Sequence, residues 1–224
     1  MGRLDKTQHR MVSDAVAAAE STTSGEIVPV LAERSDGYSD VALWWAIGIS
    51  FTVMSMFAAF PTWLVGLLDT ISGGWSHVWS DGEKLATLLG IGLVVFCLTL
   101  VVQLWPPLKF ALIPRPLRAA RARDAAVRHF KVGAERRTHG RTGVLLYVSM
   151  REHRAEIVAD ESIAEKVEAE VWGDAMADML GEIREGRLAE GLAAGIRDVG
   201  AVLAQYFPRA ADDTNELPDR LIEV

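Results

Sequence analysis

Hydrophobic and polar positions along this chain follow three patterns, and each predicts a different kind of element. From Val41 to Leu68, and again from Leu85 to Leu108, no Asp, Glu, Lys or Arg occurs. A helix rises about 1.5 Å per residue, so about 20 residues cross a hydrocarbon core about 30 Å thick. Spans at about 41–65 and 85–107 meet that length with some tilt, and together they predict a transmembrane helical hairpin. A pair of buried core helices rarely needs apolar runs this long. A signal peptide fits less well, because the first forty residues are polar and charged and a second span follows the first. Pro61 either kinks the first span or marks its end.

A second pattern is helical. Met11, Val12, Ala15, Val16 and Ala19 recur at three- and four-residue intervals within Leu4 to Glu20, where Asp5 or Thr7 can cap the start. Leu117 to Arg137 reads as a helix with Ala120, Val127, Phe130 and Ala134 inward. Pro106, Pro107, Pro114 and Pro116 predict extended chain before it. One helical face runs through Ile163, Val167, Val171, Trp172, Met176, Met179, Leu180 and Ile183 and stops at Gly186. The last helix spans about Leu188 to Phe207, and Gly191 and Gly195 let it lie close to a neighbour.

The third pattern is strand. Glu26 to Glu33 is β-rich, and Pro29 within it points to an edge position or a local irregularity. Val144 to Val148 is a continuous apolar run, as expected of a strand buried on both faces. Ala155, Ile157 and Ala159 alternate with polar neighbours, and the short link Ser149 to Glu152 suits a hairpin. Neither flank of the membrane hairpin offers enough elements to bury a core alone, so the two must fold on each other. The expected class is therefore α/β, a small Rossmann-like three-stranded sheet with helices packed on it in two or three layers. The transmembrane hairpin at 41–108 splits that domain into residues 1–40 and 109–207, and 208–224 reads as a flexible acidic tail.

Composition and charge add orientation. The 224 residues carry a net charge of -7 and are 50% hydrophobic, too polar for a chain made only of spans. The lone cysteine, Cys97, lies inside the second span and can form no intrachain disulfide. Lys109, Arg115, Arg118, Arg121, Arg123, Arg128 and Lys131 stand against the single acid Asp124 just after that span. The connection between spans holds Asp69, Asp81 and Glu83 with only Lys84 as a base. The positive-inside rule then predicts both termini and the α/β domain in the cytoplasm, at a bacterial inner membrane. Trp44, Trp45, Trp63, Trp75, Trp79 and Trp105 at the span ends, with Arg115, Arg118, Arg121 and Arg123, are candidate membrane-interface residues facing a lipid bilayer. His77 belongs to the same headgroup level. Without interleaved aromatics in the basic stretch, nucleic acid is not an expected partner.

Candidate chemistry is thin. If the first and third strands were parallel neighbours, Glu33, Asp36, Asp160 and Glu161 could face one crevice, the usual ligand position of open α/β sheets. Such oxygen donors would take magnesium or calcium and could support phosphate hydrolysis. Asp160 is equally well placed to cap the helix that follows. His129, His139 and His153 have no zinc spacing, and no G-x-S-x-G, Walker or G-x-G-x-x-G motif occurs.

Thr138, the run Thr142-Gly143-Val144-Leu145-Leu146-Tyr147-Val148-Ser149, then Glu156-Ile157-Val158-Ala159-Asp160, Ile163, Trp172, Gly191-Leu192 and Ile196 resemble the pattern of the TPM domain family. That resemblance implies a Rossmann-like α/β sandwich held at a membrane. Activities implied for the family include a weak acid phosphatase, maintenance of photosynthetic membrane complexes, receptor accessory roles and divalent-cation binding. Two functional expectations follow. The first is a membrane-anchored interaction, assembly or accessory factor for a membrane protein complex, without catalysis. The alternative is a metal-dependent phosphatase at the cytoplasmic membrane surface.

Overall fold

The structure is a computed structural model that describes residues 4–72, 78–133, 142–168, 170–209 and 217–224. Trp75 and His77, Ala134, Thr138, His139 and the expected end of a helix at Arg137 lie outside the described residues. The chain divides into two compact units, Gly37–Pro114 and the two flanks Met1–Asp36 and Arg115–Val224 together.

In the flanking unit, α1 (Lys6–Glu20) starts at Asp5, whose carboxylate accepts from the Gln8 amide while the Gln8 side chain returns the bond, a capping box. β1 (Glu26–Ala32) and β2 (Gly143–Ser149) pair in parallel, Glu26 opposite Gly143 and Ala32 opposite Ser149. β3 (Arg154–Ala159) then returns antiparallel along the other side of β2. Every residue of β1 and β2 is buried, as their unbroken apolar runs require. On one sheet face Ile27, Leu31, Val144 and Leu146 pack with Val12 and Val16 of α1 and with Leu192 and Ile196 of the long C-terminal helix. On the other, Val28, Val30 and Leu145 pack with Ala125, Ala126 and Phe130. The arrangement is three-layered.

The sheet has four strands, not three. Ile222–Glu223, in the stretch read from sequence as a flexible tail, forms β4 parallel to β1, giving the order β3-β2-β1-β4. Leu217 and Leu221 are buried beside it, and apolar anchors at two places are what fix this segment. Pro29 finds its explanation in the same arrangement. The Glu26 amide points to β2, whereas the Ile27 and Glu33 amides point to the outer side, so the proline's missing donor falls on the outer side just before β4 begins at Val30.

The helices after the hairpin also depart from expectation. Pro106 and Pro107 occupy the first turn of a short helix between the spans and the basic stretch, where their missing N–H groups are not needed; the chain is not extended there. The crossover helix (Arg115–Gly133) turns Ala122, Ala125, Ala126 and Phe130 inward and leaves Ala120 exposed. The face traced from Ile163 to Ile183 is broken into Glu161–Ala164 and Val171–Arg184, the latter ending at Gly186 with φ +86°. The C-terminal helix (Leu188–Tyr206) lies close to its neighbour, as Gly191 and Gly195 predict: a Cβ at Gly191 would stand 2.8 Å from the Met179 carbonyl oxygen, and one at Gly195 would stand 3.1 Å from the Met179 Cβ.

Within Gly37–Pro114, two helices, Ser39–Ala59 and Asp81–Val102, are long and apolar enough to cross a membrane, and little of their surface is buried. Ser50 Oγ donates to the Gly92 carbonyl (3.1 Å) and Gln103 Nε2 to the Ala42 carbonyl (3.0 Å), polar contacts suited to helix pairing in lipid. Phe60 ends the first helix, and Pro61 opens a separate helix, Pro61–Ser72. Leu93, Val94, Leu98 and Val101 face outward.

The close approach at Gly191 gives a direct check of this packing. Gly191→Val should destabilise the full chain by about 1–3 kcal/mol, since backbone cannot yield to the new methyls. Gly173→Ala, where an added Cβ meets nothing within 4 Å, should be neutral or stabilising by up to about 1 kcal/mol. Denaturant midpoints in detergent measure both.

Candidate functional site

Parallel strands end together, and the carboxyl ends of β1 and β2 carry the most connected polar group on the flanking unit. Ser35, in the loop that leaves β1, has its hydroxyl 3.0 Å from the Tyr147 hydroxyl and donates to Ser149 Oγ at 2.9 Å. Ser149 in turn donates to Glu152 Oε2, and the other Glu152 oxygen accepts from the Ser35 amide at 3.0 Å. Since Ser35 spends its own proton on Ser149, Tyr147 is the donor to Ser35. A chain of three hydroxyls therefore runs Tyr147 to Ser35 to Ser149 and ends on a carboxylate.

Local structure explains this placement. Tyr147 and Ser149 are two residues apart on β2 and share a face, and the turn after β2 brings Glu152 back over Ser149. His153 takes φ +50° in that turn, the conformation that lets β3 start its return. Tyr147, Ser149 and Glu152 are 0, 1 and 3% exposed. Burial pushes the Tyr147 phenol up from its ordinary range, against the opposing effect of its bonds to Ser35 and Ser149, so it stays a donor. The His129 ring stacks on Tyr147 with centroids 5.8 Å apart, and burial, helped by the neighbouring Arg128 charge, holds its imidazole below the usual value and neutral. At the rim, Arg151 bonds Glu33 at 3.0 Å and Arg121 bonds Asp36 at 3.2 Å.

The four carboxylates expected to share a crevice are not brought together. Glu33 and Asp36 lie at the carboxyl ends of β1 and β2. Because β3 runs antiparallel, Asp160 and Glu161 fall at the opposite end, next to Gly143. Seven residues of strand at about 3.3 Å each separate the two pairs. Asp160 sits at the N-cap position, yet its side chain makes no capping bond; Oδ2 accepts instead from the Gly143 amide at 3.0 Å, pinning the start of β2. Among the described residues no three His, Cys, Asp or Glu side chains cluster as a metal site, and this carboxylate set does not fit magnesium or calcium.

Of the expected interface residues, Trp44, Trp45, Trp63 and Trp105 are exposed and Trp79 donates to Asp69 Oδ1 at 2.8 Å. Arg121 is engaged by Asp36 and Arg123 by Glu156 (3.1 Å), while Arg115 and Arg118 occupy the first turn of the crossover helix. Sequence reasoning missed Ser35, Tyr147, Ser149 and Glu152; the available signal was two polar side chains on one face of an otherwise apolar strand.

Chemically, the hydroxyl chain is closed. Every hydroxyl proton in it is spent on another member, and Ser149 is buried. What it does is clamp the loop Glu33–Asp36 onto the turn after β2, with the Met150 amide on the Ala32 carbonyl and the Arg151 amide on the Glu33 carbonyl completing the seam. Removing the acceptor should be costly: Glu152→Ala strands the Ser35 amide and the Ser149 hydroxyl and should lower stability by about 1–3 kcal/mol, whereas Tyr147→Phe should cost about 0.5–1.5 kcal/mol. Denaturant unfolding read by tryptophan-independent circular dichroism distinguishes the two.

Comparison with known proteins places this architecture. Residues 116–202 match the family model described as the TPM domain. The NMR structure of BA42 protein from the psychrophilic bacterium Bizionia argentinensis superposes with a TM-score of 0.57 at 19% identity, over 100% of this chain and 97% of that one. That likeness shows the fold. Among curated proteins none matches this chain.

Proposed function

We propose that this chain, whose residues 116–202 are a TPM domain, is a membrane-anchored accessory or assembly factor for a membrane protein complex and performs no chemistry of its own. The observation that carries the reading is the closed hydroxyl chain where an open α/β sheet would offer its ligand crevice. An active site needs a poised nucleophile or base with unspent bonding capacity, and here the polar groups lock a loop. Two helices fit to cross a bilayer supply the anchor. The basic stretch after the second supports placing the α/β unit on the cytoplasmic side of an inner membrane, with Arg115 and Arg118 beside anionic headgroups.

A second reading, metal-dependent phosphomonoester hydrolysis, is favoured by one observation, that the matching family model carries phosphatase in its name. One experiment separates them. The full chain, purified in detergent, should hydrolyse a phosphomonoester no faster than its Asp160→Asn variant, with or without magnesium or calcium, and should co-purify with a membrane complex from native membranes. Metal-dependent turnover that Asp160→Asn abolishes while the circular dichroism spectrum is kept would establish the enzyme instead.

A further inference from the structure

The opposite end of the sheet holds a second polar group that the clamp and the membrane helices do not use. Glu20, last residue of α1, and Glu26, first residue of β1, line a cavity of about 80 Å³ with Asp219, Arg209, Ser21 and Thr23. One Glu20 oxygen accepts from the Ile27 amide at 2.8 Å. The Asp219 carboxyl lies close enough to Glu20 to share a proton with it. Two carboxylates in that relation hold together only through such a proton; ionised, they repel.

Asp219 belongs to the C-terminal segment, and its neighbours make the other contacts of that segment. Leu217 and Leu221 are buried, Ile222–Glu223 pairs with β1, and Val224 exchanges backbone bonds with Leu31 and Glu33 at 3.0 Å each. Glu223 also meets His9 of α1, with Oε1 3.1 Å from Nε2. Among the described residues, the charged and titratable groups around Glu20 are Glu26 from β1, Asp219 from the segment and Arg209, whose Nη1 donates to the Ser21 carbonyl at 3.4 Å. The contact of Asp219 with Glu20 thus requires a proton.

We propose that residues 217–224 are a proton-controlled strap, docked on α1 and β1 while Glu20 and Asp219 hold a proton between them, and loosened when that proton leaves. Its position gives release a consequence. The strap covers the outer edge of β1 and bonds the Glu33 amide, so opening uncovers a strand edge beside the clamped loop.

The sign follows from proton linkage. Burial first, then the Glu26 and Asp219 charges, raise the Glu20 carboxyl to about 8, while its bond from Ile27 pulls the other way. The docked state therefore binds this proton more tightly than the released one. Its stabilisation is complete below the ordinary carboxyl value and is lost as pH rises through about 8.

Hydrogen–deuterium exchange on the full chain in nanodiscs, corrected for intrinsic rates, tests this. Protection of the peptide covering 217–224 should fall by up to about tenfold between about pH 7 and pH 9, while the C-terminal helix keeps its protection. Glu20→Gln, which mimics the protonated side chain, should hold strap protection constant across that range. Asp219→Asn, which removes the second carboxylate but not the burial of Glu20, should shrink the fall without abolishing it, and serves if the first variant does not fold. Protection independent of pH in the unmodified chain, or an unchanged fall in both variants, overturns the proposal.

Discussion

Everything in the flanking unit depends on the parallel pairing of β1 with β2. Parallel neighbours cannot be joined by a tight turn, so a long crossover must intervene, and a helix usually supplies it. Here the crossover contains the helix Arg115–Gly133 and, before it, the whole unit Gly37–Pro114 with its two long apolar helices. The register holds over seven residue pairs from Glu26 opposite Gly143 to Ala32 opposite Ser149. With both strands buried throughout, a slip of one residue would exchange the two faces and set the apolar side chains of one core into the other.

Around that pairing the two ends of the sheet do different work. At the carboxyl end, a buried carboxylate and three hydroxyls fix the loop that follows β1, and the ion pair of Arg121 with Asp36 ties the crossover helix to the same loop. At the amino end, Thr23 Oγ1 donates to the Phe207 carbonyl at 2.6 Å and Thr142 Oγ1 to the Ser24 carbonyl at 2.8 Å, stitching the first flank to the second. Such bonds contribute modestly each, but between segments so distant in sequence they act only once the strands have paired. The acidic cavity beside the C-terminal segment lies at the end of the sheet opposite the clamped loop.

Much of this was legible in sequence where the signal was periodic or long. The two charge-free runs, the strand Val144–Val148 buried on both faces, and the close approach at Gly191 and Gly195 follow from apolar spacing alone. The inward face of the crossover helix did not, because Ala119, Ala120, Ala122, Ala125 and Ala126 offer no contrast; only packing on Val28 and Leu145 selects among them. β4 was hidden by its brevity, two residues in an acidic stretch, and its pairing is a long-range fact. The expected carboxylate crevice failed on topology. It required β1 and β3 to be parallel neighbours, and the hairpin that made β3 recognisable is also what reverses it. The site that does exist is built from Ser, Tyr and Glu at positions that look like ordinary turn and strand residues.

The central claim is that two segments separated by a membrane hairpin form one domain, which demands that both lie on the same side of the bilayer. Single cysteines at Asp14, Asp81 and Arg184, all exposed, introduced into a Cys97→Ala background and labelled with a membrane-impermeant reagent in sealed inverted vesicles, measure this directly. The account predicts equal labelling at positions 14 and 184 and protection at 81. Labelling of 14 and 184 from opposite sides would contradict it.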